Sequence, residues 1–238
     1  MGAATASRPK CLVELGGQSL LQWQLSALRA AGIDEPCIVR GYQRNAIQAA
    51  GCRYRDNPRW AHANMVRSLL CARDLLANRE AVICYSDIVF HPHHLERLIT
   101  ANGEIRITYD ISWDKLWRQR FTRPLEDAES FIHDGGRLLQ IGSKVDNISI
   151  IQGQYMGLTA ITPEGWRKLL GVLDTLSAEE QDSLDMTSLF SLALKKGIDI
   201  NVIPVDGKWC EVDTENDLSL YHKLLAAPPG QWKHDWRW

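Results

Sequence analysis

Residues Ser7–Gly17 read SRPKCLVELGG, and residues Ser19–Ala31 continue as SLLQWQLSALRAA up to Gly32. The second segment has its apolar residues at helical spacing and predicts an amphipathic helix. Arg8 and Lys10 therefore lie in a loop shortly before a helix. In such a loop, cationic side chains are suited to charge-assisted contacts with phosphate oxygens. A solvated loop lysine is the alternative, and the RPK tripeptide alone does not exclude it.

The rest of the first half alternates short apolar runs with helical patterns. This alternation predicts an α/β fold with a mixed, mostly parallel sheet and helices on both faces, a Rossmann-like arrangement. The segments are Pro36–Gly41, Cys52–Asp56 and Ala81–Tyr85 as strands, and Asn64–Leu76 and His91–Thr100 as helices.

The second half begins with short strand candidates separated by turn signals, at 105–110, 130–132, 137–141 and 154–159. They predict a small antiparallel insertion at about residues 105–160. Late strands at 200–205 and 209–212 and a helix at 215–226 complete a single domain over residues 1–226. The tail, residues 227–238, shows neither pattern, and we expect it on the surface or at an interface.

Composition narrows the classes of function. The 238 residues carry a formal net charge of −2, which argues against a dedicated nucleic-acid binder. No apolar run approaches the roughly 20 residues of a membrane span, and no signal peptide is evident. Six scattered cysteines without a C-x-x-C pair are typical of reduced thiols in a cytoplasmic protein. The sequence leaves open whether the protein forms a homodimer.

Two aspartates directly follow apolar strands. Asp87 comes after Ala81–Tyr85 and Ser86, and Asp213 follows Cys210–Val212 before a helix. Ligands of open α/β sheets bind beyond the carboxyl ends of the strands, so both carboxylates can converge on one site. Mg²⁺ prefers oxygen ligands and keeps phosphate oxygens and waters beside them. A helix cap or turn role is the alternative, above all for Asp213.

Six blocks along the chain, in order, resemble the nucleotidyltransferases that activate sugar phosphates and phospho-alcohols. The likeness is strongest to the choline-phosphate type, which includes phosphocholine and 2-aminoethylphosphonate cytidylyltransferases. The blocks are RPK (8–10), NMVRSLL (64–70), YSDIVF (85–90), IGSKVD (141–146), GQYMGL (153–158) and EVDTENDL (211–218). No single block is specific, but six in the right order are hard to obtain by chance.

The resemblance implies a fold of the nucleotide-diphospho-sugar transferase type and a reaction. CTP and a phosphorylated or phosphonylated small molecule would give a nucleotide conjugate and pyrophosphate. It also implies roles for single residues: Lys10 and Lys144 as catalytic cations on the triphosphate and the acceptor phosphate, Asp87 and Asp213 as Mg²⁺ ligands, Arg8, Asn64, Ser68 and Ser86 on the nucleotide, and Gln154 and Tyr155 on the acceptor.

A stretch rich in aromatic and acidic residues suggests the kind of acceptor. Tyr109, Trp113 and Trp117 interleave with Asp110, and Glu129 follows in an acidic run. Aromatic faces beside a carboxylate are suited to an ammonium or quaternary ammonium group. This favours phosphocholine or 2-aminoethylphosphonate over a sugar phosphate. The alternative is that Trp113 and Trp117, which share a helix face, belong to the core.

Two departures from the family limit the prediction. A buried strand and a glycine-rich loop of the form LAAGxGxRM precede RPK in that family, whereas this chain opens MGAATASRPK. Such a loop cradles phosphates with its backbone N–H groups, so we expect this polypeptide to bind CTP poorly and its sheet to lack a central strand. Gln154 also stands where relatives often carry Glu, which leaves the acceptor open.

Four other interpretations compete with a cytidylyltransferase. A glycosyltransferase is disfavoured because Asp87 starts no D-x-D motif, and a dehydrogenase because no G-x-G-x-x-G occurs. A sugar-phosphate nucleotidyltransferase that uses another nucleoside triphosphate stays open. So does a regulatory nucleotide-binding module without catalysis.

Overall fold

The strands form a six-stranded sheet and three separate pairs in the computed structural model, which describes Thr5 and residues 7–238. Residues 1–4 and 6, within the opening segment discussed above, lie outside the described residues. The strands are β1 (Glu14–Leu15), β2 (Gln18–Ser19), β3 (Cys37–Arg40), β4 (Arg53–Asp56), β5 (Ala81–Cys84), β6 (Ile88–Phe90), β7 (Ile105–Asp110), β8 (Phe131–Asp134), β9 (Arg137–Ile141), β10 (Gln154–Ile161), β11 (Asn201–Val205) and β12 (Trp209–Glu211).

Helices pack around these strands. The α-helices of at least six residues are α1 (Leu20–Ala30), α2 (Met65–Leu70), α3 (Arg73–Asn78), α4 (His93–Thr100), α5 (Trp113–Arg120), α6 (Pro163–Leu173), α7 (Ala178–Ser183), α8 (Met186–Lys195) and α9 (Glu215–Leu224). None of the helices in the described part of the chain has the length and apolar character needed to cross a lipid bilayer.

The six-stranded sheet has the order β5-β10-β7-β11-β9-β8. β7 and β11 pair in parallel, and β10 is antiparallel to both β5 and β7, so β5, β7 and β11 run in one direction. All six residues of β7 are buried, as expected for a strand covered on both faces. The predicted α/β fold with a mixed sheet is confirmed. The strands expected in a separate antiparallel insertion instead belong to this sheet, because β7 and β10 pair at its centre.

Helix α1 is fixed to the strand end that carries Asp87. Its N-terminus has a capping box, in which the Ser19 hydroxyl accepts a hydrogen bond from the Gln22 N–H and the Gln22 side chain accepts one from the Ser19 N–H. Further along, the buried Gln24 amide donates to the carbonyl oxygens of Tyr85 and Ile88, each at 2.7 Å. The turn Ser86–Asp87 is thereby held from both sides.

The parallel pair β3–β4 is not hydrogen-bonded to the large sheet. A cavity of about 850 Å³ lies between β3 and β5, and apolar residues of α1 such as Leu21 and Leu25 line it. Each of these two strands has a partner on one side only among the described residues. The expectation that the sheet lacks a central strand stays a prediction.

The C-terminal tail packs into the protein, contrary to the expectation of a surface segment. Trp236 is fully buried, and Trp232 and His234 are at most 9% exposed. His234 Nε2 lies 2.8 Å from the buried carboxylate of Asp110. A segment without helical or strand periodicity carries no signal for burial, yet its alternate bulky side chains fill the space beside α9. The division at residue 226 stays a prediction.

Candidate active site

Three carboxylates converge at the ends of β5 and β12. In the antiparallel pair β6–β12, Glu211 lies opposite Ile88, and the Val212 N–H donates to the Asp87 carbonyl oxygen at 2.9 Å. This register brings Asp87, Glu211 and Asp213 together, with one oxygen atom of each lying within 4.8 Å of the others. The helix-cap alternative for Asp213 fails because Thr214 caps α9 and leaves the Asp213 side chain free to face the site.

Lys10 bridges two of these carboxylates. Its Nζ donates to Asp87 Oδ2 at 2.9 Å and to Asp213 Oδ1 at 2.7 Å. Burial alone would lower the pKa of Lys10, but the two facing carboxylates raise it above its ordinary value. The predicted loop lysine and the two predicted strand-end aspartates therefore form one cluster, although Lys10 and Asp213 are 203 positions apart in the sequence.

Arg120 forms ion pairs with the carboxylate cluster on its buried side. Its guanidinium is fully buried and forms ion pairs with Glu211 at 3.2 Å, Asp213 at 2.8 Å and Asp217 at 2.9 Å. Burial and the charge of Asp213 raise the pKa of Glu211 well above its ordinary value. Burial also acts to raise the pKa of Asp213, but Lys10 and Arg120 together bring it below the usual range.

The three carboxylates fit a divalent cation. Asp87 Oδ1 is buried and has no hydrogen-bond partner among the described residues, so one oxygen of the cluster remains unsatisfied. Carboxylate oxygens are the ligands that a hard cation such as Mg²⁺ selects. In this donor set, Asp87, Glu211 and Asp213 are the residues that could hold it.

The other residues expected to contact the nucleotide lie outside this cluster. Ser68 and Ser86 line the cavity between β3 and β5 together with Lys10 and Asp87. The Ser68 hydroxyl accepts a hydrogen bond from Asn57 at 3.1 Å. Asn64 is exposed and caps α2, accepting from the Met65 N–H at 2.8 Å. Arg8 is also exposed. Their contact with a nucleotide stays a proposal.

Four of the residues expected on the acceptor form a second group. Lys144 is exposed and donates to the carbonyl oxygens of Glu126 and Asp127 at 3.3 and 3.2 Å. The buried Gln154 amide donates to the Glu129 carbonyl oxygen at 2.6 Å and fixes the backbone that carries this carboxylate. Tyr155 packs its ring on Tyr85 with 5.7 Å between centroids.

Glu129 faces a further carboxylate. Burial and the charge of Asp185 raise the pKa of Glu129, while Lys144 acts to lower it. Asp185 caps α8 by accepting from the Ser188 N–H at 2.7 Å. Burial and the nearby Tyr155, Asp185 and Asp87 raise the pKa of Tyr85.

The other residues expected on the acceptor lie in the core. Trp113 and Trp117 are 4% and 3% exposed and pack edge to face, which supports the alternative given for them above. Tyr109 is buried and stacks on Phe131. Asp110 is fully buried and accepts hydrogen bonds from the Gly207 N–H and the Trp209 indole. These four residues are therefore not acceptor ligands, since interleaved aromatic and acidic residues occur in a core as well as in a binding site.

Sequence reasoning missed Glu211, Arg120 and Gln24 as parts of the site. The E-x-D spacing of Glu211 and Asp213 was a usable signal, because residues two apart on a strand end point to the same side. Arg120 and Gln24 gave no local signal. Their partners lie 91 or more and 61 or more residues away along the chain.

Comparisons with known proteins identify the family. Residues 1–125, more than half of the 238-residue chain, match the family described as MobA-like NTP transferase domain. A CTP:phosphoglutamine cytidylyltransferase of Campylobacter jejuni is 29% identical over 232 residues, which cover 91% of this chain and 92% of that protein. A 2-aminoethylphosphonate cytidylyltransferase of Lancefieldella rimae is 26% identical over 100 residues, covering 40% of this chain and 41% of that protein.

Solved structures show the same fold. The inositol-1-phosphate CTP transferase from T. maritima superposes with a TM-score of 0.73 at 16% identity, covering 93% of this chain and 88% of that one. A CTP:phosphocholine cytidylyltransferase from Streptococcus pneumoniae gives a TM-score of 0.73 at 17% identity, with coverages of 94% and 93%. At such identities the likeness shows the fold, and the match over residues 1–125 shows the family. The chain belongs to the MobA-like NTP transferase domains and is a nucleotidyltransferase.

Proposed function

We propose that the protein is a Mg²⁺-dependent cytidylyltransferase that joins CTP to a small amine-bearing phosphate or phosphonate and releases pyrophosphate. The observation that carries the proposal is the convergence of Lys10 with Asp87, Glu211 and Asp213 at the strand ends. The cytidylyltransferases named above, one of which aligns along nearly its whole length, support CTP as the nucleotide.

In the proposed reaction, an oxygen of the acceptor phosphate attacks the α-phosphorus of CTP. The bond between that phosphorus and the bridging oxygen to the β-phosphate breaks, and pyrophosphate leaves with the bonding electron pair. A bound Mg²⁺ would neutralise charge on the phosphates. Lys10 binds triphosphate oxygens, and Asp87, Glu211 and Asp213 hold the cation. Since no group of the protein forms a covalent bond, positioning and charge stabilisation carry the catalysis.

The acceptor part of the proposal rests on the second group of residues. Lys144 supplies a cation for the acceptor phosphate or phosphonate, while Glu129 and Asp185 supply facing carboxylates for an ammonium group. The raised pKa of Glu129 reflects burial and the repulsion that such a cation would relieve. Phosphoglutamine, 2-aminoethylphosphonate and phosphocholine all combine an anionic phosphorus group with a nitrogen-containing group and are the acceptors to test.

The test is pyrophosphate release with each of the four nucleoside triphosphates, Mg²⁺ and each of these acceptors. The assay is run on this chain and on a version carrying any upstream in-frame residues. We expect turnover with CTP and one amine-bearing acceptor. Turnover only with another triphosphate and a sugar phosphate would assign the alternative activity. Absence of turnover from both versions with every pair would contradict the proposal in favour of a non-catalytic module.

A further inference from the structure

The Nζ atom of Lys10 lies between two of the three clustered carboxylates. It is 2.9 Å from Asp87 Oδ2 and 2.7 Å from Asp213 Oδ1, and the Lys10 side chain is 27% exposed. These are charge-assisted contacts at their normal length. In this structure the cluster therefore has a cation of its own, supplied by the protein.

We propose that Lys10 holds the cation position in the nucleotide-free protein and that a divalent cation binds there only by displacing its ammonium group. The inference rests on the proposed metal-dependent function and adds a competition between a side chain and the metal. Its consequence is that the protein without nucleotide binds the metal weakly.

Distance and charge prevent a metal from sharing the two carboxylate oxygens that Lys10 holds. Mg²⁺ binds carboxylate oxygens at about 2.0 to 2.1 Å, so a metal on the inner oxygens of Asp87 and Asp213 would lie nearly on top of the ammonium nitrogen. Two cations at such a separation repel strongly in a half-buried site. Asp213 has no spare oxygen to offer instead, because its Oδ2 already accepts from Arg120 at 2.8 Å.

Of the two cations in the cluster, Lys10 is the one that can leave. Arg120 has a fully buried side chain and is tied to Glu211, Asp213 and Asp217, so its departure would leave three acidic groups without their cation. Lys10 lies on a short 3₁₀ turn, Lys10–Leu12, and its flexible side chain is partly in solvent. Its release costs two hydrogen bonds, which the metal replaces.

Displacement couples the metal to the nucleotide. Once released, the ammonium group needs another anionic partner, and triphosphate oxygens within reach of the same loop would provide one. A nucleotide that binds free Lys10 therefore favours metal binding, and the metal favours the nucleotide by the same factor. Without Lys10, both the competition and this coupling are lost.

The first test measures Mn²⁺ binding to the nucleotide-free protein by electron paramagnetic resonance, for the wild type, Lys10→Met and Lys10→Arg. We expect Lys10→Met to tighten Mn²⁺ binding by about tenfold or more, because the metal no longer has to break the contacts of the ammonium group. Tenfold corresponds to one hydrogen bond to a charged group. Lys10→Arg keeps a cation and stays weak. Lys168→Met, which removes the exposed partner of Glu104, is the matched control and leaves the affinity unchanged.

Asp87→Asn shows which part of the Mn²⁺ binding belongs to this site, because it removes a carboxylate oxygen for which lysine and metal compete. The tighter binding gained by Lys10→Met is expected to disappear in the double variant Lys10→Met with Asp87→Asn. Equal Mn²⁺ affinity for the wild type and Lys10→Met would overturn the proposal. Thermal melting of each variant shows that the fold is retained.

The second test separates displacement from simple repulsion at a distance. An amine-reactive reagent is applied to the wild type with and without Mg²⁺, and labelling of each lysine is quantified by mass spectrometry. Displacement predicts that Mg²⁺ speeds labelling of Lys10 and leaves Lys168 unchanged. Unchanged or slower labelling of Lys10 would contradict it. Neither test uses turnover, so failure of the pyrophosphate assay would not be mistaken for failure of this inference.

Discussion

Among single residues, Asp213 has partners at both oxygens of its side chain. One oxygen accepts from Lys10 and the other from Arg120, and its backbone N–H donates to Asp217 at 3.0 Å. Asp87 differs, since only one of its oxygens has a partner. Asp87 can therefore gain a ligand without breaking a contact at its free oxygen, and it is the better residue for testing the site by substitution.

Asp87→Asn is expected to lower kcat/KM by about a factor of 100 or more, the scale for removing one electrostatic group from an active site. The amide keeps the size of the side chain, so we expect normal thermal stability. Steady-state pyrophosphate release, with Asp146→Asn as an exposed control, checks the prediction. Near-normal turnover would remove Asp87 from the metal site.

Glu129→Gln is expected to raise the KM of the acceptor about tenfold, because a charge-assisted contact to an ammonium group is lost. The KM of CTP should stay unchanged, since Glu129 lies near Lys144 and Asp185, in the proposed acceptor group. Glu126→Gln is the matched control in the same acidic stretch. Equal shifts in both KM values would indicate a general disturbance instead.

At the scale of elements, helix α5 links the site to the core. Trp113 and Trp117 pack inward from it, and Arg120, at its last residue, reaches Glu211 at the end of β12 and Asp217 in α9. Arg120 also lies over the Trp117 ring, 5.2 Å from its centroid. Helix α5, whose tryptophans the sequence analysis offered as acceptor ligands, instead positions Arg120 beside the carboxylate cluster.

Arg120→Met is expected to lower the free energy of unfolding by about 3 to 5 kcal/mol, because it leaves buried acidic groups without their cation. Urea denaturation measures the change. Arg118→Met removes an exposed pair with Asp114 on the same helix and should change the stability little. Similar stabilities of the two variants would show that the cluster does not depend on Arg120.

At the scale of the whole molecule, the C-terminal tail joins distant parts of the fold. His234 reaches Asp110 at the end of β7, and the Trp209 indole of β12 donates to the same carboxylate at 3.0 Å. Burial acts to raise the pKa of Asp110, but His234 and the two N–H donors bring it below its ordinary value. The tail, the central sheet and the strand that carries Glu211 therefore share one buried carboxylate.

This carboxylate predicts a dependence of stability on pH. Because the pKa of Asp110 is lower in the folded than in the unfolded protein, the unfolded state binds more protons between the two values. The stabilisation is complete above the unfolded-state pKa of about 4 and is lost as the pH falls through the folded-state pKa. Asp110→Asn should lower the melting temperature at neutral pH and flatten its decline in acid. Melting curves across this range, with exposed Asp134→Asn as control, test it.

The sequence by itself determined the fold class, the family and the strand ends that carry Asp87 and Asp213. Apolar strands that end in an acidic residue, and six motifs in a fixed order, are local properties of the chain and can be found without coordinates. The same motifs singled out Lys10 as a cation for the triphosphate, but only the coordinates show its contacts with both aspartates.

Only the tertiary structure decided which side chains face the site. Helical spacing places Trp113 and Trp117 on one face but does not say whether that face meets solvent or core. The tail has no periodicity, so its burial depends on the space left beside α9. Arg120 and Gln24 act across 61 or more residues of sequence, where no local pattern reports a partner. These contacts arise from packing, which joins segments according to shape and burial and not according to order in the chain.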